Sequence, residues 1–432
     1  MVGTRRAALL ALAGVAAVVV APAPGVAFVL VDAALLLAVL ADVALAARLG
    51  SVQVARGGDR ATRLGEPARV TVSVRNSGTR RLRGRLRDAW PPSAGARDTV
   101  HPVTIPAGEQ RTVASTLVPS RRGIRRAAVV TVRAIGPLGL AGRQRRFPAP
   151  WAVQVLPMFR SRRLLPEKLA RLRQVEGLVA VRGRGQGSEF DSLREYVPGD
   201  DPRSIDWRAT ARRTSVIVRT YRAERDRRLV LALDTGRTSA GRVGDAPRLD
   251  HVLDAAQLLA VLAARAGDRV DLVAHDALPR ASLRGRTLGG AMLARLVHAL
   301  TDVEPALVEA DHAGMAGAVL RMSTRRSLVV LFTDLVPAVV DESLLPALPA
   351  LTERHVVLLA ALADPRVAEM ASERGSARAA YEAAAAERTM QARRELSAAL
   401  RRRGVEIVDA PPAEFASAVA DRYLALKAAG RL

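Results

Sequence analysis

The sequence predicts a multidomain protein with two N-terminal transmembrane helices, a β-sandwich, and an α/β domain built on a mostly parallel sheet. Three observations support this fold class: two apolar runs at the N-terminus, a stretch of short alternating segments, and a C-terminal half in which apolar strands alternate with helical patterns. We place the domain boundaries at residues 1–50 for the helical hairpin, 51–157 for the sandwich, 158–228 for a polar segment and 229–432 for the α/β domain.

The two apolar runs, residues 7–20 and 26–47, are separated by a turn rich in Pro and Gly. Each run approaches the roughly 20 apolar residues that a helix needs to cross a bilayer. The second run contains the only two acids, Asp32 and Asp42. We therefore predict a two-pass hairpin. A cleaved signal peptide is the alternative interpretation of the first run, because a basic start and an apolar core precede Ala21.

Positive charges flank the hairpin but are absent from its turn. They lie before the first run and after the second, at Arg5, Arg6, Arg48, Arg56, Arg60 and Arg63. By the positive-inside rule, both ends of the hairpin face the cytoplasm. The expected location is the cell membrane, with the main domains cytoplasmic.

The whole chain is strongly basic, with a net charge of +24, and Lys168 and Lys427 are its only lysines. An anionic partner, either nucleic acid or a lipid surface, is one interpretation. A coding bias towards Arg that covers the solvated surface is the other. The chain has no cysteine, which excludes disulfides and thiolate chemistry. It has no P-loop motif, so it cannot itself supply a P-loop for phosphate binding, and its scattered histidines argue against a zinc site.

Residues 51–157 alternate apolar and polar positions, as in Ala68–Arg75, with turns that contain Gly or Pro. This alternation is typical of strands with one solvated face, and it predicts an antiparallel sandwich whose arginines point outwards. The other predicted strands of this domain are residues 113–118, 127–132 and 151–156.

Beyond residue 228, buried strands alternate with helices, which predicts a parallel sheet covered on both faces. The predicted strands are residues 229–233, 270–275, 328–332, 356–362 and 405–408. The predicted helices are residues 249–266, 288–300, 314–322, one long helix over 365–403, and 414–428.

Two of these strands end in acids, Asp234 and Asp334, and Thr238 follows Asp234 by four positions. Ligands of open parallel sheets bind at the carboxyl ends of the strands, and oxygen ligands suit Mg²⁺. Helix capping is the alternative role for such residues. The pattern resembles the metal-ion-dependent adhesion site of von Willebrand factor A-type domains, although Gly236 stands where that family has Ser. The resemblance implies Mg²⁺ binding by Asp234, Thr238 and Asp334.

His275 and Asp276 are adjacent at the end of another predicted strand. Adjacency in sequence does not place a general acid or base, so we interpret them as a surface pair rather than as a catalytic pair.

Residues 158–228, which we call the signature segment, contain a dense polar run. On physical grounds alone, this run predicts a salt-bridged loop that rests against the sheet domain, with Ile205 and Trp207 as packing anchors. The run nevertheless closely resembles the signature of a bacterial family, "domain of unknown function 58", in which it precedes a von Willebrand A-like domain. The matching residues are Glu189, Phe190, Arg194, Tyr196, Gly199, Asp200, Arg203, Ile205, Asp206 and Trp207.

The resemblance implies an adaptor or assembly factor that associates with MoxR-type AAA+ ATPases, and it implies no defined reaction. We therefore expect a membrane-anchored, non-enzymatic protein in which the signature residues, apart from Ile205, bind the partner. The first alternative is a basic protein that binds anionic lipid or nucleic acid; sparse aromatics, at 3%, count against single-strand binding, and no nucleic acid is expected. The second is a metal-dependent hydrolase that uses Asp234 and Asp334.

Overall fold

The computed structural model describes residues 2–182, 189–222, 227–285 and 290–432. The chain divides into two compact units, Met1–Leu156 and Pro157–Leu432. Gly183, Gly185 and Gly187 of the signature segment lie outside the described residues, as do the side chains of Glu189 and Phe190.

The N-terminal unit begins with two helices that pack on each other, α1 (Arg5–Val20) and α2 (Pro24–Leu45). Thr4 caps α1 by accepting a hydrogen bond from the backbone N–H of Ala7, and Pro24 begins α2, where its missing N–H costs nothing. Among the described residues, one helical stretch, Pro24–Ser51, is long and apolar enough to cross a membrane, with a mean hydropathy of 2.5. The first helix, α1, has 16 residues, which is fewer than the roughly 20 that usually cross a bilayer.

The rest of this unit consists of two sheets that share a core, which confirms the β-rich N-terminal domain. One sheet has the order β1-β10-β9-β5-β7, with β3 added beside β10, and the other has the order β2-β4-β8-β6. Val72 and Val74 from one sheet and Leu86 and Val132 from the other meet in this core. The strands are β1 (Val2–Gly3), β2 (Val52–Gly58), β3 (Ala61–Arg63), β4 (Ala68–Asn76), β5 (Leu82–Asp88), β6 (Ala96–Arg97), β7 (Val100–Ile105), β8 (Gln110–Leu117), β9 (Gly123–Ile135) and β10 (Ala141–Leu156).

Most arginines of this unit are exposed as expected, but Arg122 is buried, and so is the side chain of Arg56. Its guanidinium lies 2.6 Å from the carboxylate of Asp88, and both side chains are fully buried. The outward prediction fails here because a buried cation is tolerated when a carboxylate and backbone carbonyls satisfy it, and Arg56 also donates to the carbonyl of Val129.

The C-terminal unit is a six-stranded sheet with helices on both faces, which confirms the mixed α/β class. Its strand order is β17-β16-β13-β18-β19-β20, and all neighbours are parallel except the edge strand β17. The strands of this unit are β11 (Glu189–Glu195), β12 (Ile217–Arg222), β13 (Arg228–Asp234), β14 (Arg242–Val243), β15 (Ala246–Pro247), β16 (Arg269–His275), β17 (Pro279–Leu283), β18 (Leu328–Phe332), β19 (Val356–Leu362) and β20 (Glu406–Ala410).

Each face of this sheet has its own apolar core. Leu231 of β13 belongs to the core that includes α6 and α13, whereas Val230 belongs to the core that includes α8 and α12. The helices are α3 (Leu165–Arg182), α4 (Trp207–Thr210), α5 (Arg237–Ala240), α6 (Arg248–Arg265), α7 (Gly290–Thr301), α8 (His312–Met322), α9 (Pro337–Val339), α10 (Leu345–Thr352), α11 (Pro365–Ser372), α12 (Ala377–Arg402) and α13 (Pro412–Ala428).

Two predictions about this unit are wrong. The single helix expected over 365–403 is divided into α11 and α12, because the chain leaves the helix at Glu373 and Ser376 then caps a new one by accepting from the N–H of Ala379. The loop expected in the signature segment contains an antiparallel hairpin of β11 and β12. We call it the signature hairpin.

The order of the sheet determines where a ligand would lie. Counted along the chain from β13, the six strands are arranged 3-2-1-4-5-6, so the direction of winding reverses between β13 and β18. Open α/β sheets bind ligands beside such a reversal, at the carboxyl ends of the strands. We call the carboxyl ends of β13, β16, β18, β19 and β20 the carboxyl edge.

Candidate functional site

Asp234 ends β13 at the carboxyl edge, next to the reversal of strand order, and it is completely buried. Its Oδ1 accepts a hydrogen bond from the backbone N–H of Gly236 at 2.7 Å. Its Oδ2 accepts from the hydroxyls of Thr333 at 2.7 Å and Thr238 at 3.3 Å. The structure therefore brings Asp234 and Thr238 together, as the sequence predicts, and adds Thr333 from the neighbouring strand end.

His312, at the start of α8, is a member of this cluster that the sequence reasoning missed. Its Nε2 lies 3.3 Å from the hydroxyl of Thr333 and 3.9 Å from Oδ2 of Asp234. Its Nδ1 lies 2.9 Å from the hydroxyl of Ser343, which donates to the carbonyl of Ala310. Burial lowers the pKa of His312, although the carboxylate of Asp234 opposes that shift.

Asp334 follows β18 and is paired with two arginines. Arg248 approaches its Oδ2 at 2.9 Å, and Arg393 approaches its Oδ1 at 2.8 Å. Arg393 also binds Asp409 of β20 at 2.8 Å. Burial by itself would lower the pKa of Arg393, but the carboxylates of Asp409 and Asp334 outweigh it and raise the pKa. The result is a network of alternating charges along the carboxyl edge.

These contacts bear on the Mg²⁺ site expected at Asp234, Thr238 and Asp334. Both oxygens of Asp334 already have cationic partners, and the carboxylate of Asp234 accepts three hydrogen bonds. A divalent ion prefers carboxylate oxygens that are free to coordinate it. In this arrangement Asp234, Thr238 and Asp334 do not fit Mg²⁺. Metal binding by these residues stays a prediction, and the ion pairs of Asp334 count against it.

His275 and Asp276 are buried at the end of β16, so the expectation of a surface pair is wrong. Nδ1 of His275 lies 2.7 Å from the backbone carbonyl of Asp276 rather than from its carboxylate. That carboxylate accepts hydrogen bonds from the side chain of Arg280 and from the N–H of Leu278. Each of the two buried side chains has hydrogen-bond partners within its own turn, and the expectation that they are not a catalytic pair stays a prediction.

The first strand of the signature hairpin, β11, is followed by a braced turn. Arg194 of β11 makes two hydrogen bonds to the carboxylate of Asp200, at 2.7 and 2.6 Å, and Asp200 also accepts from the N–H of Val197 at 2.9 Å. Gly199 has a φ of +110°, which favours Gly because a side chain would be strained there. The bidentate pair and the Gly together hold the turn between β11 and Pro202.

A second brace lies at Asp206. Its Oδ1 accepts hydrogen bonds from the N–H groups of Arg208 and Ala209, which caps the short helix α4. Its Oδ2 binds Arg219 of β12 at 2.8 Å. Asp206 therefore joins the turn to the second strand of the hairpin, so that several signature residues have structural partners within the segment itself.

Trp207 does not pack as an anchor, contrary to the prediction. Its side chain is 69% exposed, because the cap at Asp206 places it at the first position of α4 and no described element covers it. Leu193, Tyr196 and Val197 are also exposed. The structure thus presents apolar side chains on a segment whose backbone is held by ion pairs.

Part of the chain matches a known protein family. Residues 192–404 match the family model described as Protein of unknown function DUF58. The match begins within the signature hairpin, covers five of the six strands of the sheet, and ends after α12, before β20. It confirms the DUF58 resemblance over just under half of the chain.

Two curated relatives of this chain come from mycobacteria. The uncharacterized proteins Rv1480 of Mycobacterium tuberculosis and Mb1516 of Mycobacterium bovis are each 32% identical to this chain over 189 residues. The aligned part is 43% of this chain and 58% of each relative. The chain therefore spans less than two thirds of the relatives that it matches.

Three solved structures each resemble about a quarter of the chain. A CARDB domain from Pyrococcus furiosus has 15% identity and a TM-score of 0.18, covering 24% of this chain and 87% of that one. An ASH/PapD-like domain of human CEP192 has 16% identity and a TM-score of 0.19, covering 24% and 85%. A beta-glucosidase from Listeria innocua has 14% identity and a TM-score of 0.15, covering 23% and 16%. With TM-scores this low, none of these similarities indicates the fold or the activity of this chain.

Proposed function

We propose that this chain is a membrane-anchored, non-enzymatic docking protein whose signature segment binds a partner protein. The observation that carries the proposal is the exposed Trp207 on a segment braced by Arg194–Asp200 and Arg219–Asp206. Tryptophan is enriched among the residues that dominate protein interfaces, and a pre-organised segment loses little entropy on binding. A MoxR-type AAA+ ATPase is the partner that the DUF58 resemblance implies.

The proposal includes a von Willebrand A-type fold for the sheet of the C-terminal unit. The strand order 3-2-1-4-5-6, the antiparallel edge strand and the acid at the end of the first strand support it. In this assignment the carboxyl edge is the second part of the docking surface. The buried hydrogen bonds of Asp234 and the ion pairs of Asp334 leave neither carboxylate free for acid–base chemistry, which supports docking rather than hydrolysis.

The proposal also includes a two-pass anchor formed by α1 and α2. The two helices pack on each other and are joined by three residues, and α2 has the length and composition of a membrane span. The arginines on both sides of the hairpin favour cytoplasmic ends. Such an anchor keeps the docking segment at the membrane, on the side where a cytoplasmic ATPase is found.

The test is co-purification of the tagged full chain from native membranes, with quantitative mass spectrometry of what it retains. Trp207→Ala should lose the ATPase, because it removes the exposed indole without touching the braces of the segment. Tyr381→Ala is the matched control, since Tyr381 is an aromatic residue, 81% exposed, on α12. Equal recovery of an ATPase with both variants, or no ATPase with the unmodified chain, would refute the proposal.

A further inference from the structure

Both ends of the helical hairpin attach to one turn of the sandwich, the β9–β10 turn at residues 136–140. Before α1, β1 pairs with the start of β10, and the hydroxyl of Thr4 donates to the carbonyl of Gly139 at 2.6 Å. Near the end of α2, the carboxylate of Asp42 accepts hydrogen bonds from the N–H groups of Leu138 and Leu140, each at 2.7 Å. If α2 spans the bilayer, this turn lies at the membrane surface.

Arginines from the sandwich surround the end of α2. The guanidinium of Arg80 donates to the carbonyl of Ala44, and Nε of Arg143 donates to the carbonyl of Val43 at 3.1 Å. These carbonyls belong to the last turn of α2, where the helix dipole is negative and favours cations. The arginines thus bind the helix end and at the same time bring positive charge to the level of the membrane surface.

A half-open cleft of about 630 Å³ lies at this position, and we call it the basal cleft. Its apolar lining includes Leu45 and Ile135, and its basic lining is Arg80, Arg81 and Arg83. No acidic side chain lines the cleft, and among the described residues Arg81 and Arg83 have no carboxylate partner. Both are exposed to solvent.

We propose that the basal cleft binds the phosphate group of an anionic phospholipid, with the apolar lining against the upper part of the lipid chains. Guanidinium groups suit phosphate oxygens because their N–H donors form paired hydrogen bonds. A basic pocket beside a membrane-spanning helix has the charge and the position that recognise such head groups. This inference rests on the membrane anchoring included in the proposed function.

The experiment uses the full chain purified in a non-ionic detergent, with native mass spectrometry of bound lipid during titration with phosphatidylglycerol or phosphatidylcholine. The unmodified chain should retain phosphatidylglycerol in preference. Arg81→Gln combined with Arg83→Gln should weaken the binding of phosphatidylglycerol by about 30-fold. This figure takes roughly 1 kcal/mol for each arginine and converts the sum to a ratio of dissociation constants. Arg81→Lys combined with Arg83→Lys keeps the charge and should retain most of the binding.

The matched control is Arg85→Gln combined with Arg87→Gln, two exposed arginines farther along β5. This control should bind like the unmodified chain, and an equal loss would show that general charge is responsible and overturn the proposal. Inorganic phosphate at the same concentration as the lipid should not displace phosphatidylglycerol. If it does, the cleft binds free phosphate and the lipid assignment is overturned. Equal retention of both lipids by the unmodified chain would also overturn it.

Membrane extraction with alkaline carbonate separates failure of this inference from failure of the proposed function. If every variant remains in the membrane fraction and the lipid preference is absent, only the basal cleft is refuted. If carbonate releases the unmodified chain, the anchoring itself fails, and the inference fails with it.

Discussion

Arg393 lies 2.8 Å from Asp334, and the contact places a guanidinium at the carboxyl edge of the sheet where the sequence suggests a divalent cation. Arg393 comes from α12, far along the chain from β18. The pairing gives Asp334 a fixed internal cation.

We expect Mg²⁺ or Mn²⁺ at millimolar concentration to leave the thermal unfolding midpoint of the full chain unchanged. An ion bound at a hundred times its dissociation constant would add about 2.7 kcal/mol to the stability of the folded state. Calorimetric titration provides a second readout, and binding heat together with a rise in the midpoint would show that the ion displaces the arginines.

Arg393→Gln should destabilise the C-terminal unit by about 1–3 kcal/mol, because it removes charged hydrogen bonds from both Asp334 and Asp409. Arg394→Gln is the control at the next position, where the side chain is exposed and donates a hydrogen bond to the carbonyl of Met390 in its own helix, and it should change stability by less than about 0.5 kcal/mol. Thermal unfolding followed by circular dichroism measures both, and equal effects would contradict the proposed role of the network.

Asp42→Ala should loosen the β9–β10 turn, because it leaves the buried N–H groups of Leu140 and Ala141 without an acceptor. Each unsatisfied N–H group should cost about 1–3 kcal/mol of stability. Asp32→Ala is the matched control on the same helix, since Asp32 is exposed. We expect limited proteolysis to cut the turn in Asp42→Ala only. Cleavage of both variants, or of neither, would contradict this role for Asp42.

Lys427→Ala should be severely destabilising. The ammonium group lies 2.9 Å from the carboxylate of Asp268, and both residues are 3% exposed. Removal of one partner of a buried pair leaves an uncompensated charge, which costs about 3–5 kcal/mol. Arg422→Ala on the same helix removes a partly exposed pair with Glu406 and should cost under about 1 kcal/mol. Chemical denaturation of the full chain measures the loss of stability in both variants. Similar losses would refute the distinction between the buried and the partly exposed ion pair.

The turn after β11 should lose its order in acid. The hydrogen bonds from Arg194 lower the pKa of Asp200 below its ordinary value of 3.8. Because the pKa is lowered in the folded state, the pair stabilises the turn fully above pH 3.8, and this contribution is lost as the pH falls through the folded pKa. A ¹⁹F resonance of fluorotryptophan at position 207 should therefore stay constant down to about pH 4 and shift below it.

The control for this titration is Arg194→Gln, which removes the cation but leaves Asp200 in place. The midpoint of the transition should then rise towards 3.8, the ordinary pKa of an aspartate, whereas in the unmodified chain it lies below that value. An unchanged profile in this variant would show that Asp200 does not control the order of the turn.

Local pattern predicted much of the fold. Strands β18 and β19 have the bounds that their apolar runs indicate, because a strand buried on both faces must be apolar throughout. The signature residues predicted the DUF58 resemblance, which the family match confirms over residues 192–404. Composition also predicted an apolar helix over residues 26–47, and the structure has a helical stretch at Pro24–Ser51 with the length and hydropathy of a membrane span.

By itself, the sequence determined the five parallel strands of the C-terminal sheet, which helix is apolar enough for a membrane, and which residues carry the signature, but it did not predict the strands of the signature hairpin. Only the tertiary structure decided the surroundings of Asp334, Asp42 and Trp207. Arg393 reaches Asp334 from a distant helix, Asp42 is satisfied by the backbone of a turn in the sandwich, and Trp207 is left exposed. The physical reason is that periodicity along a chain reports which face of an element is apolar, whereas ion pairs and backbone hydrogen bonds depend on which distant groups the fold brings within about 3 Å.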